Sequence, residues 1–202
     1  MVLPSTEEAI DQWVSKFKNT LKKDDYELQK RWGLEGKIHA QNGQHEALWA
    51  MNDLVFSKGR LSRMVKLRVS IDKTVLFDGL RGDGLIAASA TGSTAYSFSA
   101  GGPVIAPELS TILLTPICSH DIAQRPVVLG PDVEVEIEVL EGKGPCFLTE
   151  DGQSGYDLGL GDKISVTRSK QPLTWWIPKS AEMKTKNHYE QLRHKLGIGG
   201  KI

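Results

Sequence analysis

The stretch MVKLRVSIDKTVLFDGL, residues 64–80, decides the fold class. Val65, Leu67, Val69 and Ile71 alternate with Lys66, Arg68 and Ser70, and a period of two places the apolar set on one face of a strand and the polar set on the other. Asp72-Lys73 breaks the run before a second one at 74–80, so the pair reads as a hairpin. Further along, Val133, Val135, Ile137 and Val139 alternate with Asp132, Glu134, Glu136 and Glu138, a strand with one face in water. Residues 146–149, 163–168 and 174–177 add short strands between Gly and Pro turns, and upstream 26–31 and 34–40 precede an Asn42-Gly43 pair that suits a tight turn. So many short strands imply a sandwich or barrel. The expected fold is mainly β (α+β), two packed sheets of short strands with a helix near each terminus and no parallel βαβ array.

The ends carry a different period. Pro4-Ser5-Thr6-Glu7-Glu8 reads as a helix start, with Ser5 and Glu8 placed for a reciprocal cap. Ile10, Trp13, Val14, Phe17 and Leu21 then recur at helical spacing as a stripe to be buried. Residues 181–196 read as a second helix with Met183, Tyr189, Leu192 and Leu196 as apolar contacts. The chain thus divides into a helical 1–24, a β-rich 25–180 and a C-terminal helix and tail at 181–202, with no internal repeat and no linker.

Composition narrows the classes. Twenty-five Lys plus Arg balance twenty-five Asp plus Glu over 202 residues, which removes the broad positive field that non-specific nucleic-acid or anionic-membrane binding needs. Cys118 and Cys146 lack C-x-x-C spacing, which argues against a zinc site or a disulfide framework and for a reducing compartment. No segment approaches the roughly 20 apolar residues that span a bilayer, and no basic-then-apolar leader is legible. The expectation is a soluble cytoplasmic protein.

Three stretches carry candidate chemistry. ATGSTAYSFSAGGP, residues 90–103, holds hydroxyls, small residues and one tyrosine, yet matches neither G-x-x-x-x-G-K-[ST] nor a G-x-G-x-x-G opening a long helix. It reads either as a helix start capped by hydroxyls or as a ligand turn where Ala95 permits close approach and Tyr96 offers a flat face to a heteroaromatic ring. Arg81 and Asp83, two apart on an extended chain, point to one side, although an isolated R-G-D-G is more often a turn. Asn52-Asp53 falls within a strand-like apolar segment, so these polar groups need partners from the protein or from a ligand. Arg60 and Arg63 fit a solvated loop equally well. No Ser/His/Asp or Cys/His constellation is legible around His120-Asp121, and the five histidines lack metal-ligand spacing.

Taken in order, MND at 51–53, RGDGLIAASATGSTAYSFSAGGPVIAP at 81–107, LTPICSHDIAQRP at 114–126 and TEDGQ at 149–153 resemble the NAD kinase family, from about Leu3 to Leu196. The long central motif is specific. The resemblance implies the family's β-rich C-terminal domain and its reaction, transfer of a phosphoryl group from ATP or polyphosphate, with a divalent metal such as Mg²⁺, to the 2′-hydroxyl of the adenosine ribose of NAD to give NADP. It implies that Asn52 meets the adenine and Asp53 the ribose hydroxyls, that Thr94, Ala95, Tyr96, Ser97, Phe98 and Ser99 wrap the dinucleotide with Tyr96 stacking, and that Asp83 receives the carboxamide. By the same likeness Gln153 lies near the nicotinamide ribose, Arg63 and Arg81 face phosphates, and Cys118 contributes backbone contact.

The resemblance further implies a homodimer or homotetramer. Ser89-Ala90 stands where the family usually has Thr-Pro, and Ser119 where it usually has Pro. The family's Gly-Gly-Asp-Gly-Thr motif, whose aspartate activates the ribose hydroxyl, is absent from this sequence, which puts the general base outside these residues. Two functional expectations follow: the C-terminal portion of an NAD kinase, or a non-catalytic NAD(P)-binding or oligomer-forming module. A lipid-kinase relative with a similar β-rich domain is disfavoured by the dinucleotide-type central motif.

Overall fold

The computed structural model describes residues 7–22, 25–43, 45–59, 64–142, 146–179 and 192–193. The chain divides into two units, one of residues 31–173 and one of 1–30 with 174–202.

In the larger unit the alternation seen in the sequence becomes a sandwich. The first sheet is built from β2 (Leu34–His39), β3 (His45–Ala50), β5 (Val65–Ile71), β6 (Thr74–Gly82), β10 (Val135–Gly142) and β13 (Lys163–Arg168), in the order β3-β2-β13-β10-β5-β6. The second is built from β4 (Asp53–Lys58), β7 (Gly84–Ser89), β8 (Ile112–Ile117), β9 (Val127–Leu129), β11 (Cys146–Glu150) and β12 (Ser154–Leu158), in the order β12-β11-β4-β7-β8-β9. Neighbours in both sheets pair antiparallel. The Asp72-Lys73 turn forms as expected, with both residues at positive φ, +48° and +68°, the geometry that matches strand twist in a two-residue hairpin.

The inner faces meet in one core. Leu67 and Val69 of β5, Ile137 of β10 and Ile164 of β13 pack in the same cluster as Leu54 and Phe56 of β4 and Leu85 and Ala87 of β7. The second sheet is apolar on its other face too, where Val55, Ile86, Ala88 and Leu113 cluster with Ala90 and Ile105. All six residues of β7 and of β8 are therefore buried, which produces continuous apolar runs in place of alternation.

One strand passes from sheet to sheet. β6 leaves the first sheet at Gly82 and β7 enters the second at Gly84, with Asp83 at the corner. Asp83 N–H donates to the Ile117 carbonyl at 2.9 Å, and the Asp83 carbonyl accepts from Lys58 N–H at 2.9 Å. A Cβ at position 84 would overlap the Phe56 carbonyl, so close strand approach fixes glycine at this end of the R-G-D-G stretch.

In the smaller unit, α1 (Glu7–Lys22) forms as the helical period predicts, and β1 (Tyr26–Arg31) pairs with β14 (Leu173–Pro178) as a two-stranded sheet. The Trp176 ring lies 4.9 Å from that of Phe17 and 5.7 Å from that of Tyr26. Of the expected stripe, Val14 and Phe17 are half-buried while Ile10 and Leu21 stay exposed. Ser5, the expected cap, lies outside the described residues, as does the expected second helix apart from Leu192 and Arg193, which are helical. No described helix is long and apolar enough to cross a membrane.

Candidate functional site

A cleft of about 450 Å³ opens on the face of the second sheet that points away from the first. Its floor follows from the period of β4: Leu54 and Phe56 point into the shared core, so Asp53, Val55 and Ser57 face the cleft. From Asp53 to Ser57 this track runs about 13 Å, at ~3.3 Å per residue. Thr149, opposite Val55 on β11, forms one wall with Asp151 and Gly152 of the β11–β12 turn. Ala95 and the half-exposed Tyr96 form the other.

The head of the track is a turn at 51–53 held from two sides. On one side the Asp151 carboxylate accepts from the backbone N–H groups of Met51 at 2.7 Å, Asn52 at 2.7 Å and Asp53 at 3.0 Å. Asp151 N–H in return donates to the Asp53 carbonyl at 3.0 Å. On the other side Ser89 Oγ donates to the Met51 carbonyl at 2.6 Å, Ser89 N–H donates to the Asn52 carbonyl at 2.8 Å, and Gly92 N–H donates to Ser89 Oγ at 3.1 Å. Ser89, where a threonine was expected, thus supplies a working hydroxyl.

Asp53 is only 5% exposed. Burial, and then the neighbouring Asp151 carboxylate, push its carboxyl up to about 6. Among the described residues its side chain has no hydrogen-bond donor.

Two expectations are corrected. Asn52 does not sit inside a strand: it occupies the bend before β4, half-buried, and only Asp53 belongs to the strand. The 90–103 stretch is not a hydroxyl-capped helix start. Residues Thr91–Thr94 form a 3-10 turn and α2 (Tyr96–Ser99) a single helical turn, neither with a side-chain cap. Two of its hydroxyls serve the backbone instead: Ser93 Oγ donates to the Ala90 carbonyl at 2.7 Å and accepts from Ile105 N–H at 3.0 Å, and Thr94 Oγ1 donates to the Thr91 carbonyl at 3.4 Å.

The remaining candidates divide by place. Of Thr94 to Ser99, Ala95 and Tyr96 line the cleft, whereas Ser97 is buried with its hydroxyl 2.8 Å from that of Thr115. Thr94 and Phe98 are half-buried and Ser99 is exposed. Arg81, Asp83 and Cys118 do not line the cleft but gather beyond its Ser57 end, where Ser57 pairs with Gly84 and Gly84 with Ile117. There the Asp83 carboxylate meets Lys58 Nζ at 2.6 Å, and His120 N–H donates to the Arg81 carbonyl at 2.9 Å. Gln153 is exposed and closes the β11–β12 turn through its N–H. Arg63 lies outside the described residues.

Val55 and Ser57 were not singled out from the sequence, and Thr149, Asp151 and Gly152 entered only within the TEDGQ stretch, with no role of their own. The Asp151-Gly152 dipeptide is a hairpin-turn signal, and the period of β4 counted from Asp53 leads to Val55 and Ser57.

Residues 51–177 match the ATP-NAD kinase C-terminal domain. The chain belongs to the NAD kinase family. The NAD kinase of Wolinella succinogenes is 37% identical over 186 residues, 92% of this chain and 61% of that protein. That of Geotalea daltonii is 36% identical over 177 residues, 88% of this chain and 60% of that protein. This chain thus spans about three-fifths of the length of the NAD kinases it matches. Yeast NADH kinase complexed with NADH superposes with a TM-score of 0.84 at 26% identity, over 95% of this chain and 55% of that one. An Archaeoglobus fulgidus NAD kinase in complex with ATP shares the fold, with a TM-score of 0.70 at 23% identity over 93% of this chain and 67% of that one.

Proposed function

We propose that this chain binds NAD or NADP along the β4 track and serves in the phosphorylation of the 2′-hydroxyl of the adenosine ribose of NAD. The observation that carries the reading is Asp53, a buried carboxylate facing the cleft with no donor among the described residues. A ribose diol supplies two O–H donors to such a group, and the exposed Tyr96 ring offers a stacking face for a base. The 13 Å track then leads the other half of an extended dinucleotide toward Asp83 and Cys118, with Arg81 at the same end for a phosphate. That the yeast relative was solved with NADH and the Archaeoglobus relative with ATP supports a dinucleotide substrate and a nucleotide donor.

Donor chemistry is assigned elsewhere. Among the described residues no group of three or more His, Cys, Asp or Glu side chains fits a metal ion, so no step here runs through the Mg²⁺ that accompanies ATP or polyphosphate. Phosphoryl transfer depends on holding donor and acceptor together, and the sequence holds no Gly-Gly-Asp-Gly-Thr. The 202-residue chain alone therefore binds dinucleotide without turnover, and self-association into a dimer or tetramer is part of the same proposal.

Calorimetric titration with NADP tests this. Saturable binding that falls about 10-fold in Tyr96→Ala, as loss of ring stacking predicts, supports it. Absence of binding, or binding indifferent to both Tyr96→Ala and Asp53→Ala, overturns it. Steady NADP formation from NAD, ATP and Mg²⁺ by the purified chain overturns the claim of binding without turnover.

A further inference from the structure

Asp151 lies 98 to 100 residues from the three amides it holds, at the tip of a hairpin on the opposite wall of the cleft. It adopts a positive φ of +47°, and the reciprocal bond from its N–H to the Asp53 carbonyl fixes it against β4. A carboxylate has about four acceptor positions, and three of them here are taken by consecutive backbone N–H groups.

We propose that Asp151 is a positioning residue of the dinucleotide site: by gathering the N–H groups of Met51, Asn52 and Asp53, it fixes the turn that presents Asn52 and Asp53 and leaves the Asp53 carboxylate for the ligand. The proposal rests on the reading of the cleft given above. It goes further in assigning the state of the acceptor to a residue that does not bind the ligand.

The argument is one of competition for donors. Buried backbone N–H groups need acceptors. Asp53 carries the carboxylate within the 51–53 turn itself, and without Asp151 these amides are left to find another acceptor such as this one. A carboxylate that accepts two or three N–H bonds is stabilised in place and holds its proton only at low pH. With Asp151 present the outcome is reversed. The amides are satisfied, Asp53 is left largely buried in the cleft floor beside a second carboxylate, and its carboxyl rises to about 6.

Among the described residues the elements packed against Asp53 give no cationic relief. β7 and the 3-10 turn carry no charged side chain, β11 and its turn bring Glu150 and Asp151, and α2 brings Tyr96. Hydroxyl donors from a ligand favour the ionised Asp53. Binding therefore strengthens as pH rises through about 6 and is accompanied by proton release below that value.

Two variants of the full chain separate the two roles of Asp151. Asp151→Asn removes the charge and turns one acceptor into a donor, while Asp151→Glu keeps the charge but lengthens the side chain by one methylene. Three measurements follow each: strand content by circular dichroism, ligand-free amide exchange with the Asp53 carboxyl titration by NMR, and NADP affinity. In Asp151→Asn, strand content holds and the amides of 51–53 exchange about 10-fold faster or more, the loss of bonds to a charged acceptor. The Asp53 midpoint falls below about 6, though burial keeps it above the ordinary value, and NADP affinity drops by a similar factor. In Asp151→Glu the amides are likewise exposed, and the Asp53 midpoint falls less than in Asp151→Asn because the neighbouring charge remains.

Wild-type amide protection in Asp151→Asn overturns the proposal, and so does wild-type NADP affinity with the amides exposed. If the wild-type chain binds no NADP, the dinucleotide reading fails by itself, and the ligand-free amide and carboxyl data still decide whether Asp151 sets the turn. If Asp151→Asn loses its strand content, Asp151→Glu decides: amides exposed in a folded protein uphold the positioning role, and protected amides overturn it.

Discussion

The outward faces of the two six-stranded sheets treat charge in opposite ways. On the first sheet Lys163 Nζ lies 2.9 Å from Glu136 Oε1, and Arg68 bridges Glu138 Oε2 at 3.2 Å and Asp78 Oδ1 at 3.0 Å. Each of these charges has an opposite neighbour within the protein and water beyond it. On the second sheet Asp53 and Asp151 bring like charges together, and neither carboxylate has an ion-pair partner among the described residues. Arrangements that answer themselves are solvated surface. An arrangement that is short of protein donors in a cleft leaves room for a molecule to complete it, which is why Asp53 and not the richer charge lattice marks the site.

Backbone crowding at the cleft gives the sharpest way to break this comparison. A Cβ at Gly92 would overlap the Asn52 carbonyl, whereas one at Gly130, in the loop before β10, meets nothing within 4 Å. Gly92→Ala must therefore push the 51–53 turn out of place. A displacement of about 1 Å is enough to cost ~100-fold where positioning matters, so NADP affinity falls by about that factor. Gly130→Ala leaves affinity and stability unchanged. Equal affinities for the two variants would remove the claim that the turn presents the ligand groups.

The next largest effect is one of stability, and its sign is unusual. Asp53 has a folded value of about 6 against an ordinary 3.8, so between these values the folded chain holds a proton that the unfolded chain has released. Asp53 therefore favours the fold at acid pH, and that contribution is lost as pH rises from about 4 to about 6. At pH 7 to 8 the native state carries a largely buried charge with no donor among the described residues. Asp53→Asn relieves it and stabilises the ligand-free protein by about 2 kcal/mol, the scale of an unsatisfied buried polar group in mutational data, while weakening NADP binding. Thermal melts at pH 4.5 and pH 7.5 check the prediction: the variant gains at the higher pH and much less at the lower. A lower melting temperature for Asp53→Asn at pH 7.5 would mean that the carboxylate is already partnered.

The same contrast explains what the sequence revealed. The β5–β6 hairpin was legible because one face of it is wet, so Val65, Leu67 and Val69 alternate with polar residues. β7 and β8 were not, because GLIAAS and ILLTPI are buried on both faces and carry no period. Asn52 and Asp53 stood out as polar residues in an apolar setting. Asp151 stood only within the TEDGQ stretch and its role was not legible, because its partners are backbone amides, which leave no trace in side-chain identity, roughly a hundred positions away. The hydroxyl-rich 90–103 stretch was the reverse case. Its composition suggested caps or ligand contacts, and the hydroxyls of Ser93 and Thr94 went instead into holding a tight turn behind Tyr96.

The smallest effect sharpens the comparison from the first sheet. Arg68 on that face is paired with Asp78 on β6 and Glu138 on β10, and the hydrogen bond to Asp78 holds its guanidinium more firmly protonated. Its side chain is nonetheless exposed, as is that of Asp78. Exposed pairs gain little because water and salt screen them and two long side chains must be ordered to form them; measured values are typically about 1 kcal/mol or less. Arg68→Gln is thus expected to shift the denaturant midpoint only slightly at low ionic strength, to become indistinguishable from the parent in high salt, and to leave NADP affinity unchanged at every pH. A large, salt-insensitive destabilisation would show that the lattice is structural and not merely solvated. A change in NADP affinity would tie the first sheet's outward face to the cleft and end the division drawn between them.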